Sequence, residues 1–275
     1  MKATTYYDSA QTRRPLLTEF GNFWSYRGLL RLLVTRDLTV RYKRSILGVW
    51  WTLLNPLLTT GIMWLVFGQL FKNRFSSNEP YVLYLLAGVL MMTFFSQGML
   101  STGAAITNAS GILSKVYVPA EVFSLSTAVA AGVNFVIGLV PLLIIQLTSG
   151  VGIPWTALLI PVPALAMLAL VTGLGLIVAS AAVYFYDILD ITRVLVQLVY
   201  YLTPVFWPIS IAGRFESWVK ANPLFSYVDV FRDVAYRGAL PPLWELAMSV
   251  GTALLFLALG VWVFSKGWKN LVGSL

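Results

Sequence analysis

The chain has 275 residues, of which 58% are hydrophobic, 14% aromatic and only 11% charged. Its mean hydropathy of +0.79 lies far outside the range of ordinary soluble domains, so most of it sits in lipid. Without cysteine or histidine it has no disulfide framework, thiol nucleophile, imidazole base or Cys/His metal site. In such a chain a net charge of +8 reflects orientation in the bilayer rather than a nucleic-acid partner.

The first residues, Met1 to Pro15, are polar and lack the apolar centre of a signal peptide, so the N-terminus is expected to stay unprocessed in the cytosol. From Ser25 the pattern becomes helical. Tyr26, Leu29, Leu30 and Leu33 share one face and Arg27 and Arg31 the other, which predicts an amphipathic interfacial helix with its apolar face in acyl chains. A second basic stretch runs from Arg36 to Arg44, where Asp37 and Arg41 form a favourable i,i+4 pair. Arg41, Lys43 and Arg44 have two compatible readings: a stop signal that fixes topology, and a cluster that gathers lipid or lipid-phosphate headgroups.

A transmembrane helix needs about 20 mainly apolar residues to cross about 30 Å of hydrocarbon. Six stretches qualify: Val49 to Phe71, Tyr81 to Thr107, Val122 to Thr148, Trp155 to Tyr186, Ile191 to Trp207 and Leu246 to Phe264. Pro161 and Pro163 predict an irregular start for the fourth, and Pro204 and Pro208 end the short fifth. The predicted fold class is therefore an all-α integral membrane protein. A cytosolic segment 1–48 precedes a six-span domain 49–264, and a cytosolic tail 265–275 follows it. With both termini inside, thirteen of the nineteen Lys and Arg residues fall on the cytosolic side, as the positive-inside rule requires. No Asp, Glu, Lys or Arg lies in the core of any predicted span, which argues against a proton-coupled transporter. Gln97, Asn134, Gln146 and Gln197 are the polar intramembrane groups, read first as interhelical hydrogen-bond partners.

The loop Asn108 to Glu121 carries Leu113, Lys115, Tyr117, Val118 and Pro119, a short amphipathic piece suited to docking on a soluble subunit. Asp187 and Asp190, with Arg193 close behind, are read as acids capping a helix and complementing its dipole rather than as a catalytic pair. The outer stretch from Ile209 to Glu245 mixes Trp218, Phe225, Tyr227, Phe231 and Trp244 with charges, which predicts short helices at or dipping into the interface. Aromatics crowd the first and fifth spans, and interfacial belts account for about half of them.

The run from Arg36 to Pro56 contains Arg41-Tyr42, Ser45, Leu47-Gly48, Trp50, Trp51 and Asn55-Pro56, and it resembles the opening signature of ABC-2 type permeases. Within that group it is most similar to polysaccharide and O-antigen exporters. Val118-Pro119-Ala120-Glu121, Leu202-Thr203-Pro204-Val205, Asn222-Pro223 and Phe231-Arg232 extend the resemblance to about Phe264. Ala120 and Tyr186 depart from it, since the family often has Arg at both places.

The resemblance implies a half-transporter in the bacterial cytoplasmic membrane. It would form a homodimer, bind two copies of a separate nucleotide-binding ATPase and move a polysaccharide or lipid-linked glycan. The chain contains no P-loop, so ATP and Mg would be bound by the partner, and no cofactor, metal or catalytic residue is assigned to this chain. On this reading Lys115, Tyr117, Val118, Pro119 and Glu121 form the ATPase coupling loop. Trp64, Phe67, Tyr200 and Tyr201 offer ring faces along the path, and the outer stretch acts as a gate. A drug or lipid exporter of the same family is the nearer alternative. An integral-membrane glycosyl or phospholipid transferase is the farther one, because Asp187 and Asp190 are the only acids the sequence sets close together.

Overall fold

A computed structural model describes residues 26–43, 45–71, 80–113 and 118–274, and no strand occurs among them. The described residues form nine α-helices in order: α1 (Arg27–Tyr42), α2 (Trp50–Phe71), α3 (Tyr81–Leu113), α4 (Glu121–Thr148), α5 (Pro161–Ala182), α6 (Asp187–Leu202), α7 (Glu216–Lys220), α8 (Pro223–Arg232) and α9 (Leu243–Ser274). A 3-10 turn, Trp155–Leu159, leads into α5 and provides the irregular start that Pro161 and Pro163 predict. A π turn, Asp233–Arg237, extends α8 and ends at Gly238, whose φ of 71° lies in the left-handed region that glycine tolerates.

The centre of the bundle is α3, which packs on α2, α4, α5, α6 and α8 and is largely buried along its length. The helix approaches depend on small residues, as expected where lipid supplies no hydrophobic drive between helices. Gly173 of α5 lies directly against the Phe256 carbonyl and Leu257 amide of α9, while Gly260 of α9 meets the Gly173 carbonyl. Likewise Gly98 and Gly103 of α3 face Val171 and Val178 of α5. A β-carbon at Gly98 would come 2.6 Å from the Val171 side chain, and one at Gly103 would come 2.7 Å from that of Val178.

Among the described residues, five helical segments are long and apolar enough to cross a membrane: Trp50–Leu70, Tyr81–Leu113, Glu121–Thr148, Trp155–Ala182 and Leu243–Lys266. The predicted span Ile191 to Trp207 differs. Its helix, α6, has 16 residues and stops at Leu202, because Pro204 lacks an amide hydrogen and drives Thr203 into extended backbone (φ −83°, ψ 135°). At about 1.5 Å per residue such a helix falls short of the hydrocarbon thickness, and the non-helical residues 203–208 continue from its end.

Two local expectations are corrected. The apolar face of α1 is covered by protein rather than by lipid alone: Leu33 is buried with Ala105, Ala109, Val122 and Phe123, and Tyr26, Leu29 and Leu30 pack around that cluster. At α6, Tyr186 occupies the N-cap with no side-chain cap bond, and Asp187 and Asp190 lie inside the first turn. The two acids thus complement the helix dipole without capping it. Exposed Asp190 pairs with Arg193 at 2.6 Å.

Candidate functional site: a polar groove and its aromatic end

Helices α2, α3 and α4 enclose a cavity of about 320 Å³. Asn55 and Thr52 enter it from α2, Thr93 and Gln97 from α3 and Asn134 from α4, with Trp51 and Phe94 providing ring surface. Helical spacing explains the convergence, since Thr93 and Gln97 are one turn apart on α3 and share a face. None of the lining residues is ionisable. A second cavity of about 390 Å³ lies between α1, α3 and α4, lined by Arg36, Asp37, Ser101, Asn108, Ser126 and Thr127 among others. Asn134 lines both, so the two adjoin there as a groove that is charged near α1 and uncharged beside α2, where Trp51 and Asn55 are exposed.

At its far end the groove meets stacked rings. Phe94 and Phe135 lie 5.2 Å apart, and Phe135 meets Phe231 of α8 edge-on at 5.3 Å. Next to Phe231, Arg232 is 1% exposed. Its Nη2 donates to the carbonyls of Tyr84 at 3.2 Å and Pro204 at 3.0 Å, and its guanidinium lies 3.5 Å from the centroid of the Tyr84 ring. The Tyr84 hydroxyl is 2.9 Å from both the Pro204 and Trp207 carbonyls, and the Tyr81 hydroxyl donates to the Phe206 carbonyl at 2.6 Å. Breaking α6 at Thr203 leaves these carbonyls without helical partners, and buried irregular backbone is stable only when such groups are satisfied. Two tyrosines and an arginine meet that requirement. A β-carbon at Gly88 would come 2.8 Å from Arg232 Nη2, so the approach of α8 to α3 requires glycine there.

The rest of the segment 209–245 is tied down at several points. Gln146 Nε2 donates to the carbonyls of Gly152 and Ala235, and Thr156 donates to that of Val234 at 2.9 Å. Tyr227 and Thr252 share a hydrogen bond of 3.1 Å. Burial pushes the Tyr227 phenol up to about 12, with the Thr252 bond acting against it, so it remains protonated. Asp229 and Asp233, one turn apart, bring carboxylate oxygens within 4.8 Å of Glu245 and of each other, so Asp187 and Asp190 are not the only acids set close together. Arg237 Nη1 bridges both aspartates at 2.9 Å and supplies the local counter-charge.

The predicted site residues fall in separate places. Trp64 and Tyr201 are exposed, whereas Phe67 packs on the core and Tyr200 packs on Tyr201 and Phe206 with ring centres 6.0 and 5.5 Å away. Arg41 lies in the last turn of α1, and Lys43 follows it, exposed. Val118 and Pro119 precede the Glu121 that opens α4. Arg44, Lys115 and Tyr117 lie outside the described residues. Sequence reading took Gln97 and Asn134 first as interhelical hydrogen-bond partners and met Arg232 as part of the Phe231-Arg232 resemblance in the outer stretch. The apolar neighbours of Arg232, from Leu224 to Phe231, were the available signal for its burial.

Residues 28–236 match the family model for the ABC-2 type transporter. The chain is 32% identical over 241 residues to the O-antigen export system permease protein RfbA of Myxococcus xanthus, covering 86% of this chain and 91% of that protein. Two proteins of the same name from Klebsiella pneumoniae are 24% and 23% identical, each over 86% of this chain and 91% of its own length.

Proposed function

Because this chain belongs to the ABC-2 type transporter family, we propose that it is the permease subunit of an ATP-driven exporter that moves a polysaccharide or lipid-linked glycan out of the bacterial cytoplasm. The observation that carries this reading is the similarity to three O-antigen export permeases over 86% of the chain. The groove agrees with it. Hydroxyl-rich cargo needs donors and acceptors along its route, and carboxamides and hydroxyls provide both without the strong hold of a charge. The transferase alternative has lost its ground, since the family is one of transport subunits.

In the proposed assembly α6 and the segment through Trp207 together make a sixth crossing, returning both termini to the cytosol. Two copies of the chain form a homodimer on two copies of the ATPase, which binds ATP and Mg. Exposed apolar side chains on α2 and α6, including Leu65, Val194, Leu195 and Leu198, support such a dimer. The exposed amide of Gln197 on α6 adds a polar contact of the kind that joins helices in membranes. The coupling surface is the loop Lys115, Tyr117, Val118, Pro119 and Glu121, and the headgroup contact is Arg41, Lys43 and Arg44. Trp64, Phe67, Tyr200 and Tyr201 provide weak ring contacts along the path.

Deletion and complementation test the reading in cells. Without this chain, surface glycan is lost while glycan accumulates inside, and the wild-type chain restores display. Surface glycan unchanged by the deletion would refute export.

A further inference from the structure

We propose that the uncharged cavity between α2, α3 and α4 is a binding site for a single neutral sugar ring of the cargo, an assignment that rests on the export reading above. Its volume of about 320 Å³ falls at the small end of ligand sites, which run from about 300 to 1,000 Å³, so it suits one ring rather than a length of chain. The chemistry of the lining narrows the ligand further. Asn55, Gln97 and Asn134 present carboxamides, and Thr52 and Thr93 present hydroxyls, all of which both donate and accept, as sugar hydroxyls do.

Ring faces complete the match. The indole of Trp51 and the ring of Phe94 line the same space, where the C–H face of a pyranose has an apolar surface to lie on. The absence of any ionisable side chain from the lining excludes a phosphate or uronic-acid carboxylate as the occupant, because an anion here would be desolvated without a counter-charge. The adjoining cavity, by contrast, has ionisable side chains in its lining, Arg36 and Asp37. A ring reaching the uncharged cavity from that side passes Asn134, which lines both spaces. Farther on, it meets the Phe94–Phe135–Phe231 stack that joins the groove to α8.

The native chain has no cysteine, so single cysteines report the site directly. Thr93→Cys and Asn134→Cys place a thiol in the cavity, and Ser217→Cys, at an exposed position on α7, serves as a control outside it. Each variant is expressed with its ATPase in cells whose glycan synthesis can be switched off, and labelled with a small hydrophilic thiol reagent while surface glycan is measured. The cavity thiols should react readily with synthesis off and about tenfold more slowly with it on, the protection given by a site nine-tenths occupied. Ser217→Cys should react equally with and without the glycan. No reaction at either cavity thiol in either condition overturns the proposal, as does equal reaction in both conditions in variants that still export. If one cysteine variant fails to accumulate, the other carries the test. Surface glycan that persists without the chain would instead overturn the export reading itself.

Discussion

Replacing Arg232 with Met removes the guanidinium that holds α8 to α3 and to the broken end of α6 while keeping most of the volume. Three effects set the size of the loss. The hydrogen bonds of Nη2 to the Tyr84 and Pro204 carbonyls come from a charged donor, a class worth about 1.5–3 kcal/mol each. Contact with the Tyr84 ring at 3.5 Å adds about 2 kcal/mol where water is excluded. Against these stands the desolvation of a fully buried cation, which the Met variant no longer bears and which amounts to several kcal/mol. Asp229 keeps Arg237 at 2.9 Å, so the substitution strands no carboxylate, and Pro204 keeps the Tyr84 hydroxyl. The net cost to the closed arrangement is about 2–3 kcal/mol, which raises its opening equilibrium about 30- to 150-fold. A Thr93→Cys reporter in intact cells, treated with an impermeant thiol reagent, should react faster in the Arg232→Met background by that order. Arg232→Lys, which keeps the charge but loses the planar fork, should fall between the two. A reaction rate and thermal stability unchanged by Arg232→Met would show that the arginine is mere filling and does not hold the end of the groove closed.

Tyr84→Phe keeps the ring under Arg232 but removes the hydroxyl from the Pro204 and Trp207 carbonyls, and thermal unfolding of the purified protein should show a loss of about 1–3 kcal/mol. Gly173→Leu should separate α5 from α9 and deplete the folded protein, whereas Gly111→Ala, with nothing within 4 Å of its β-carbon, should leave the yield unchanged; detergent-soluble protein measured by size-exclusion chromatography distinguishes them. Leu substitutions at Trp64, Phe67, Tyr200 and Tyr201 should slow glycan export at unchanged protein level, and normal export by all four would reduce these rings to packing and lipid anchors. A cysteine at Val118 should crosslink to the ATPase in the co-purified complex, and crosslinks confined to this chain would move the coupling surface elsewhere.

Hydropathy made the long helices legible because a membrane span is a length requirement on apolar residues, and α2, α3, α4, α5 and α9 all meet it. What it could not report was how far the apolar stretch after Ile191 stays helical, since Thr203–Val205 is as apolar as the helix before it and only the proline rule separates them. The amphipathic pattern of α1 was equally plain, but periodicity identifies an apolar face without identifying what covers it, and Ala105, Ala109 and Phe123 cover part of this one. The groove was hidden for a different reason. Asn55, Gln97 and Asn134 lie on three helices, and each is an isolated amide in an apolar run until the helices are packed. Arg232 was legible only in part: the apolar residues among Leu224 to Phe231 pointed to burial, but the carbonyls that receive its guanidinium belong to Tyr84 and Pro204, distant in the chain.

The most direct test of the account uses the purified chain and its ATPase in liposomes, with lipid-linked glycan in the bilayer and a membrane-impermeant glycosidase to report which side each glycan occupies. The account predicts that glycan crosses away from the ATPase side only when ATP is hydrolysed and only when this chain is present. ATP hydrolysis without movement of glycan, or glycan movement that does not require this chain, would contradict it.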